Sequence, residues 1–319
     1  MLNKYVITGF VLIIILLALF KETFTTELNW SIGLYRGETP FNISGDGVKN
    51  PIITADDITD VEARFVADPF IMRYKEKYYL FFEIFLKENK KGVIGVAVSD
   101  NGMDWKYSGV ILEEPFHLSY PYVFKYNNNV YMIPESGQAN AVFLYKANID
   151  EFPSKWVRVK KIIDGYFEDS SILEYDGKFW LFGQTDKGKY DRLELWFSDN
   201  LEGEWKEHPK SPIINGDPNI ARPGGRIIKY NNKIYRFSQD DYPSYGYQVW
   251  ASEIITLTTT EYEEKLLKDP VIKAKDEWSH DIFGAWNELG MHQMDPMKMD
   301  GDGWVVAVDG LGEELIKRE

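Results

Sequence analysis

Asp68, Glu83, Glu135, Glu168, Asp169, Asp240 and Asp295 each stand near the beginning or the end of a short apolar run, and Arg222 and Arg226 stand among them in chain order. Cleaving a glycosidic bond takes two carboxyl groups, one protonated as acid and one ionised as base or nucleophile. Crowded carboxylates raise one another's pKa, which can keep the acid protonated near neutral pH. The materials for glycoside hydrolysis are therefore present. Arg222 and Arg226 could grip a carboxylate or phosphate on a ligand, or pair with the acids around them. The Asp-Pro and Glu-Asp steps are also good turn formers before strands, so local structure explains each single acid about as well as chemistry does.

A repeat would bring these groups together. Five segments open alike: Ala67-Asp68-Pro69-Phe70, Ser119-Tyr120-Pro121-Tyr122, Glu168-Asp169-Ser170-Ser171, Arg222-Pro223-Gly224-Gly225 and Met294-Asp295-Pro296-Met297. Each leads into an apolar run, a turn and a second apolar run. The first four copies align without a gap: Tyr74, Tyr126, Tyr175 and Tyr230 share one column, and Glu83, Glu135, Gln184 and Gln239 another. A strand-built repeat of about 50 residues is a propeller blade, so the chain is predicted to be all-β, a five-bladed β-propeller. The first blade is expected to place strands near 68–74, 78–84, 92–99 and 105–112. Tyr262 to Leu267 has helical spacing and is expected to form one short helix. The fifth blade is too short for four strands, so the strand Trp30 to Gly37 is expected to complete it and bring the chain ends together. The predicted organisation is an anchor over 1–24, a linker with the closing strand over 25–60 and the propeller over 61–319.

Within each blade the start of the first strand and the end of the second must lie side by side. Asp68 is thereby placed beside Glu83, Tyr120 beside Glu135, Asp169 beside Gln184, and the Arg222 to Arg226 segment beside Gln239 and Asp240, all around one mouth of the channel. His117, His280 and His292 could reach that mouth, but no His-x-x-x-His spacing supports a metal, and no cofactor is predicted. Tyr242, Tyr245, Tyr247, Trp278 and Trp286 are candidate sugar platforms, or packing for the loops that carry them.

Composition narrows the partners. Hydrophobic residues make up 44% of the chain and aromatics 15%, ample for a β core and for stacking on sugars. A formal charge of −14 argues against nucleic acid, whose phosphates must be met by Lys and Arg. With no cysteine there is no disulfide, thiolate metal site or thiol nucleophile. The uncharged stretch Tyr5 to Phe20 reads as a retained single-pass transmembrane helix rather than a cleaved signal, because no small-residue cleavage site follows it. The propeller is expected outside the cytoplasm, with the membrane and a glycan or glycolipid as its partners.

Val66-Ala67-Asp68-Pro69-Phe70, His117-Leu118-Ser119-Tyr120-Pro121, Tyr131-Met132-Ile133-Pro134-Glu135-Ser136, Ala221-Arg222-Pro223-Gly224-Gly225-Arg226 and Tyr245-Gly246-Tyr247 resemble the amino-terminal domain of glucosamine inositolphosphorylceramide transferases, from about Trp30 to Glu264. In the plant enzymes the glycosyltransferase domain lies further along the chain, so the resemblance implies a glycan context and not transferase activity. More distantly the layout is similar to five-bladed glycosidases of the arabinanase, xylosidase and invertase type. That similarity implies Asp68 as base or nucleophile and Glu168 as acid, while Tyr120 stands where the arabinanase group has an acidic modulator. Glu83, Tyr120, Glu135, Asp169, Arg222, Arg226, Gln239, Asp240, Tyr245 and Asp295 are then expected to bind substrate. A non-catalytic glycan-binding or accessory module is the alternative.

Overall fold

The paired apolar runs of each repeat fold as hairpins because the residues between them accept the left-handed backbone a tight turn requires. Asn127, Asn128, Asp176, Gly177, Asn231 and Asn232 all have positive φ, the signature of turns whose twist matches the strands. In a computed structural model, which describes residues 24–274, 285–301 and 303–317, these hairpins build five antiparallel sheets. Blade one is Ala63–Tyr74, Lys77–Leu86, Gly92–Ser99 and Lys106–Leu112; blade two is Ser119–Tyr126, Asn129–Glu135, Ala141–Ala147 and Trp156–Asp164. Blade three opens with Glu168–Tyr175 and Lys178–Gln184, and blade four with Ile228–Tyr230 and Lys233–Asp240.

Blade five is closed from the other end of the chain, as expected. Its inner strands Met294–Lys298 and Trp304–Lys317 are joined by Phe24–Gly37 and Ile43–Ser44. The closing strand is longer than the Trp30 to Gly37 of the sequence reading, in register from Phe24 opposite Lys317 to Gly37 opposite Trp304.

The apolar core lies between neighbouring blades. Ile32, Leu34 and Val305 of blade five pack with Ile71, Leu80 and Phe82 of blade one, and Leu173 and Trp180 of blade three pack with Ile234 and Ile254 of blade four. Each fully buried side chain of this size contributes about 1.5–3 kcal/mol, so the ring is held by its seams.

One expected element is different. Tyr262–Leu266 is an outer strand of blade four, paired with Gln248–Leu257, and not a helix. The alternation explains this: Tyr262 and Glu264 point inward to one buried charge, with Arg236 donating from Nε to Glu264 at 2.5 Å, while Glu263 and Lys265 face out. No helix among the described residues is long and apolar enough to cross a membrane, and the stretch Tyr5 to Phe20 lies outside them.

Candidate active site

The recurring openings are bulges. In blades one, two and three the ladder shifts register between Ala67 and Phe70, between Ser119 and Tyr122, and between Glu168 and Ser171. At each shift one residue has left-handed backbone: Asp68 (φ 54°), Tyr120 (φ 43°) and Asp169 (φ 51°). Such a conformation costs a non-glycine residue about 1–3 kcal/mol, and a bulge re-aims a side chain, here at the channel axis. Blade five has no bulge, and Asp295 sits opposite Ala307 in regular register.

Above the bulges lies a cavity of about 440 Å³, within the range of small-ligand sites. Its acids are Asp68, Glu83, Glu135 and Glu168, and its aromatic rim is Trp30, Phe65, Phe85, Tyr166, Tyr190 and Tyr245. Phe65 and Phe85 stack with centroids 4.7 Å apart, and Trp30 lies over the His292 ring at 4.1 Å.

Two histidines each sit between two carboxylates. His292 Nε2 is 3.4 Å from Asp68 Oδ1 and its Nδ1 is 2.8 Å from Asp309 Oδ2. Asp309 also accepts from the backbone N–H groups of Asp68 (3.0 Å), His292 (3.1 Å) and Gln293 (3.0 Å). Burial opposes charge on His292, but Asp309 and Asp68 outweigh it and push the imidazole up to about 9. His117 Nδ1 accepts the Gly92 N–H at 2.8 Å, which leaves Nε2 to carry the proton, 3.6 Å from Glu83 and 3.5 Å from Glu135. Burial holds this second imidazole down at about 4, so it is neutral where His292 is charged.

The carboxylates divide accordingly. Burial raises Asp68 to about 7 against the pull of the His292 imidazolium, whereas burial and then Asp68 itself lift Glu83 well above its usual range. Of the two, only Asp68 has a facing imidazolium that favours its charged form. Burial and Asp169 raise Glu135 to about 7, with Ser119 donating to it at 2.8 Å. Burial also raises Glu168, whose Oε1 accepts from the Tyr166 hydroxyl and whose Oε2 is buried with no hydrogen-bond partner among the described residues.

Of the twelve residues expected to act on or bind substrate, Asp68, Glu83, Glu135, Glu168, Arg222 and Tyr245 line the cavity, as do His117 and His292; the other six of the twelve do not. Tyr120 is fully buried below it, its hydroxyl accepting the Gly225 N–H at 2.6 Å across the channel. Asp169 and Gln239 form the layer behind Arg222: Asp169 Oδ2 accepts from Arg222 Nε and from Gln239 Nε2, both at 2.6 Å. Arg226 pairs with Asp295 deeper in the channel, with Nε to Oδ1 at 2.7 Å and Nη2 to Oδ2 at 3.0 Å. Asp240 is taken up by Asn219, Gln248 and Trp250 on the blade-four side. The alignment fixes height along the channel only to a few residues, and the bulge alone does not set the outcome: of the three left-handed residues Asp68, Tyr120 and Asp169, only Asp68 lines the cavity.

His280 and Trp278 lie outside the described residues, and Trp286 packs against Gly33 and Gly310. Asp309, Trp30, Phe65, Phe85, Tyr166, Tyr190 and Lys187 were not identified from sequence. Tyr166, two residues before Glu168, is the one that proximity to a repeat opening could have flagged. Asp68, His292 and Asp309 present ligand atoms within 4.8 Å of one another, a spacing a metal could use. A protonated imidazole offers no lone pair, so a cation there would first have to displace the His292 proton.

The fold matches a glycosyl hydrolase from Bacteroides ovatus with a TM-score of 0.58 at 12% identity, over 86% of this chain and 94% of that one. It matches the RS223 beta-xylosidase with a TM-score of 0.54 at 15% identity, over 70% and 79% of the two chains. The family described as glucosamine inositolphosphorylceramide transferase 1, N-terminal, matches residues 24–311, and the chain belongs to that family. Glucosamine inositolphosphorylceramide transferase 1 of Oryza sativa subsp. japonica is 37% identical over 305 residues, which cover 89% of this chain and 40% of the relative. The chain thus spans well under half the length of that curated relative.

Proposed function

We propose that this propeller binds a glycan in the axial cavity and hydrolyses a glycosidic bond there. The carrying observation is that Asp68 and Glu168 line one cavity in opposite environments. Asp68 touches a cation, His292, while Glu168 is buried, held by Tyr166 and has an oxygen without a partner. Glu168 protonates the departing glycosidic oxygen, and the Asp68 carboxylate attacks the anomeric carbon or takes the proton of the water that does. The rim aromatics stack on the sugar faces.

A second reading, a glycan-binding or accessory module without turnover, is favoured by the commitment of Asp68: Oδ2 accepts the Tyr120 N–H at 3.1 Å while Oδ1 faces His292. Product analysis on a panel of polysaccharides and glycolipids, with Asp68→Asn and Glu168→Gln beside the wild type, separates the two. Turnover lost with binding retained supports hydrolysis, and binding without product in the wild type supports the module. In either case the apolar stretch 5–20 acts as a membrane anchor with the propeller outside the cytoplasm. Membrane fractionation with and without that stretch tests the anchor, and protease accessibility in intact cells tests the side.

A further inference from the structure

Arg222 is the one arginine of the cavity wall, and its surroundings leave half of it unused. Its side chain is 9% exposed, and its Nε donates to Asp169 at 2.6 Å. Asp169 is held in turn by Gln239, so the guanidinium is fixed from behind. The rings of Tyr190, 4.9 Å from the guanidinium carbon, and Tyr245, at 5.2 Å, pack against it from one side, with their centroids 5.7 Å apart. The remaining edge, the two terminal nitrogens, makes no hydrogen bond among the described residues, and Arg222 lines the cavity. A guanidinium packed against two rings and anchored at Nε presents two parallel N–H donors at its terminal edge, the geometry that matches a carboxylate or phosphate.

The charge around it points the same way. Lys187 and Lys90 line the same cavity, and neither has an ion-pair partner among the described residues; Lys187 Nζ lies 5.5 Å from the centre of the Tyr166 ring. Both lie at the mouth of a cavity whose floor is acidic, so they are the cations an incoming ligand meets beside Arg222. Asp169 already neutralises Arg222, so these lysines supply the excess positive charge that would draw an anion towards the open guanidinium edge.

Resting on the glycan reading above, we infer that the wall formed by blades three and four is an oxyanion subsite: the glycan carries a carboxylate or phosphate, received by the terminal nitrogens of Arg222 and steered by Lys187. Asp68 of blade one and Glu168 at the start of blade three then face the bond to be cleaved, and the anionic substituent lies against the terminal nitrogens of Arg222.

Binding of glucose, glucuronate and glucose 6-phosphate to the full chain, followed by calorimetry at low and raised salt, tests this. One charge-assisted bidentate contact corresponds to about tenfold or more in affinity, so at least one anionic sugar should bind that much tighter than glucose, and the gap should shrink with salt. The stronger of glucuronate and glucose 6-phosphate identifies the group. Lys187→Gln, at an exposed position, should narrow the gap several-fold, and Arg222→Lys, which keeps the charge but loses the fork, should nearly close it. Equal binding of all three sugars, or a gap that survives Lys187→Gln at all salt concentrations, overturns the subsite and leaves the glycan pocket standing. If none of the three binds while a larger neutral glycan does, the subsite is likewise overturned. If no glycan binds at all, both readings fall.

Discussion

Asp309 accepts the backbone N–H of Asp68 at 3.0 Å, across 241 residues of sequence and across the seam where the last blade meets the first. The contact joins ring closure to the site, because the same carboxylate touches His292, which faces the Asp68 side chain. Asp309→Ala should therefore lower stability by about 3–5 kcal/mol, the cost of breaking a buried charged cluster. Asp309→Asn should cost less, since it keeps one acceptor. Urea unfolding measures both.

The two cavity histidines should titrate on opposite sides of free imidazole. Histidine-detected NMR of the native protein is expected to show His292 with a midpoint near 9 and His117 near 4. The raised value means that the folded protein binds the His292 proton more tightly than the unfolded chain does. Its contribution to stability is thus complete below about 6.5 and is lost as pH rises through about 9. Asp309→Asn should bring the His292 midpoint down while His117 stays where it is. Midpoints that coincide near 6.5 would contradict the two-carboxylate geometry.

Much of this arrangement is legible in the sequence, for physical reasons. A strand hairpin fixes which residues adjoin, so the neighbourhoods of Asp68 with Glu83 and of Tyr120 with Glu135 follow from the repeat alone; the ladders pair Ala67 with Glu83 and Ser119 with Glu135. The aligned columns also foretell five blades and the closing strand. Asp309 escapes the same method because the gap-free alignment covers only the first four copies and does not reach Trp304–Lys317. The strand Tyr262–Leu266 was misread because so short a segment satisfies helical spacing too, and pairing with Gln248–Leu257 decides it. The bulges are not legible, because their left-handed residues, an Asp, a Tyr and an Asp, carry no common side-chain signal, and only Asp68 of the three lines the cavity.

Tyr120 lies fully buried beneath the cavity. Tyr120→Phe removes the hydroxyl that receives the Gly225 N–H, leaving a buried donor unpaired, and should cost about 1–3 kcal/mol of stability. Glycan affinity should be unchanged within a factor of two or so, since the ring lies beneath the cavity and Phe retains it. Denaturation and binding isotherms measured on one sample check both halves.

Trp30 contributes from the closing strand. Its ring lies on His292 and in edge contact with Tyr245, with centroids 6.4 Å apart, and forms one side of the cavity. Trp30→Ala should weaken glycan binding by about tenfold, whereas Trp30→Phe should recover a large part of the loss, because a stacking face is what the sugar uses. Calorimetric titration of the two variants reads this directly.

The central claim is that Asp68 and Glu168 do chemistry on a bound glycan, and single-turnover product analysis on the best-binding glycan tests it most directly. Wild-type protein should release a reducing end, and Asp68→Asn and Glu168→Gln should each slow that release by about a thousandfold or more with the dissociation constant changed by less than about tenfold. Release at the wild-type rate from both variants would contradict the account.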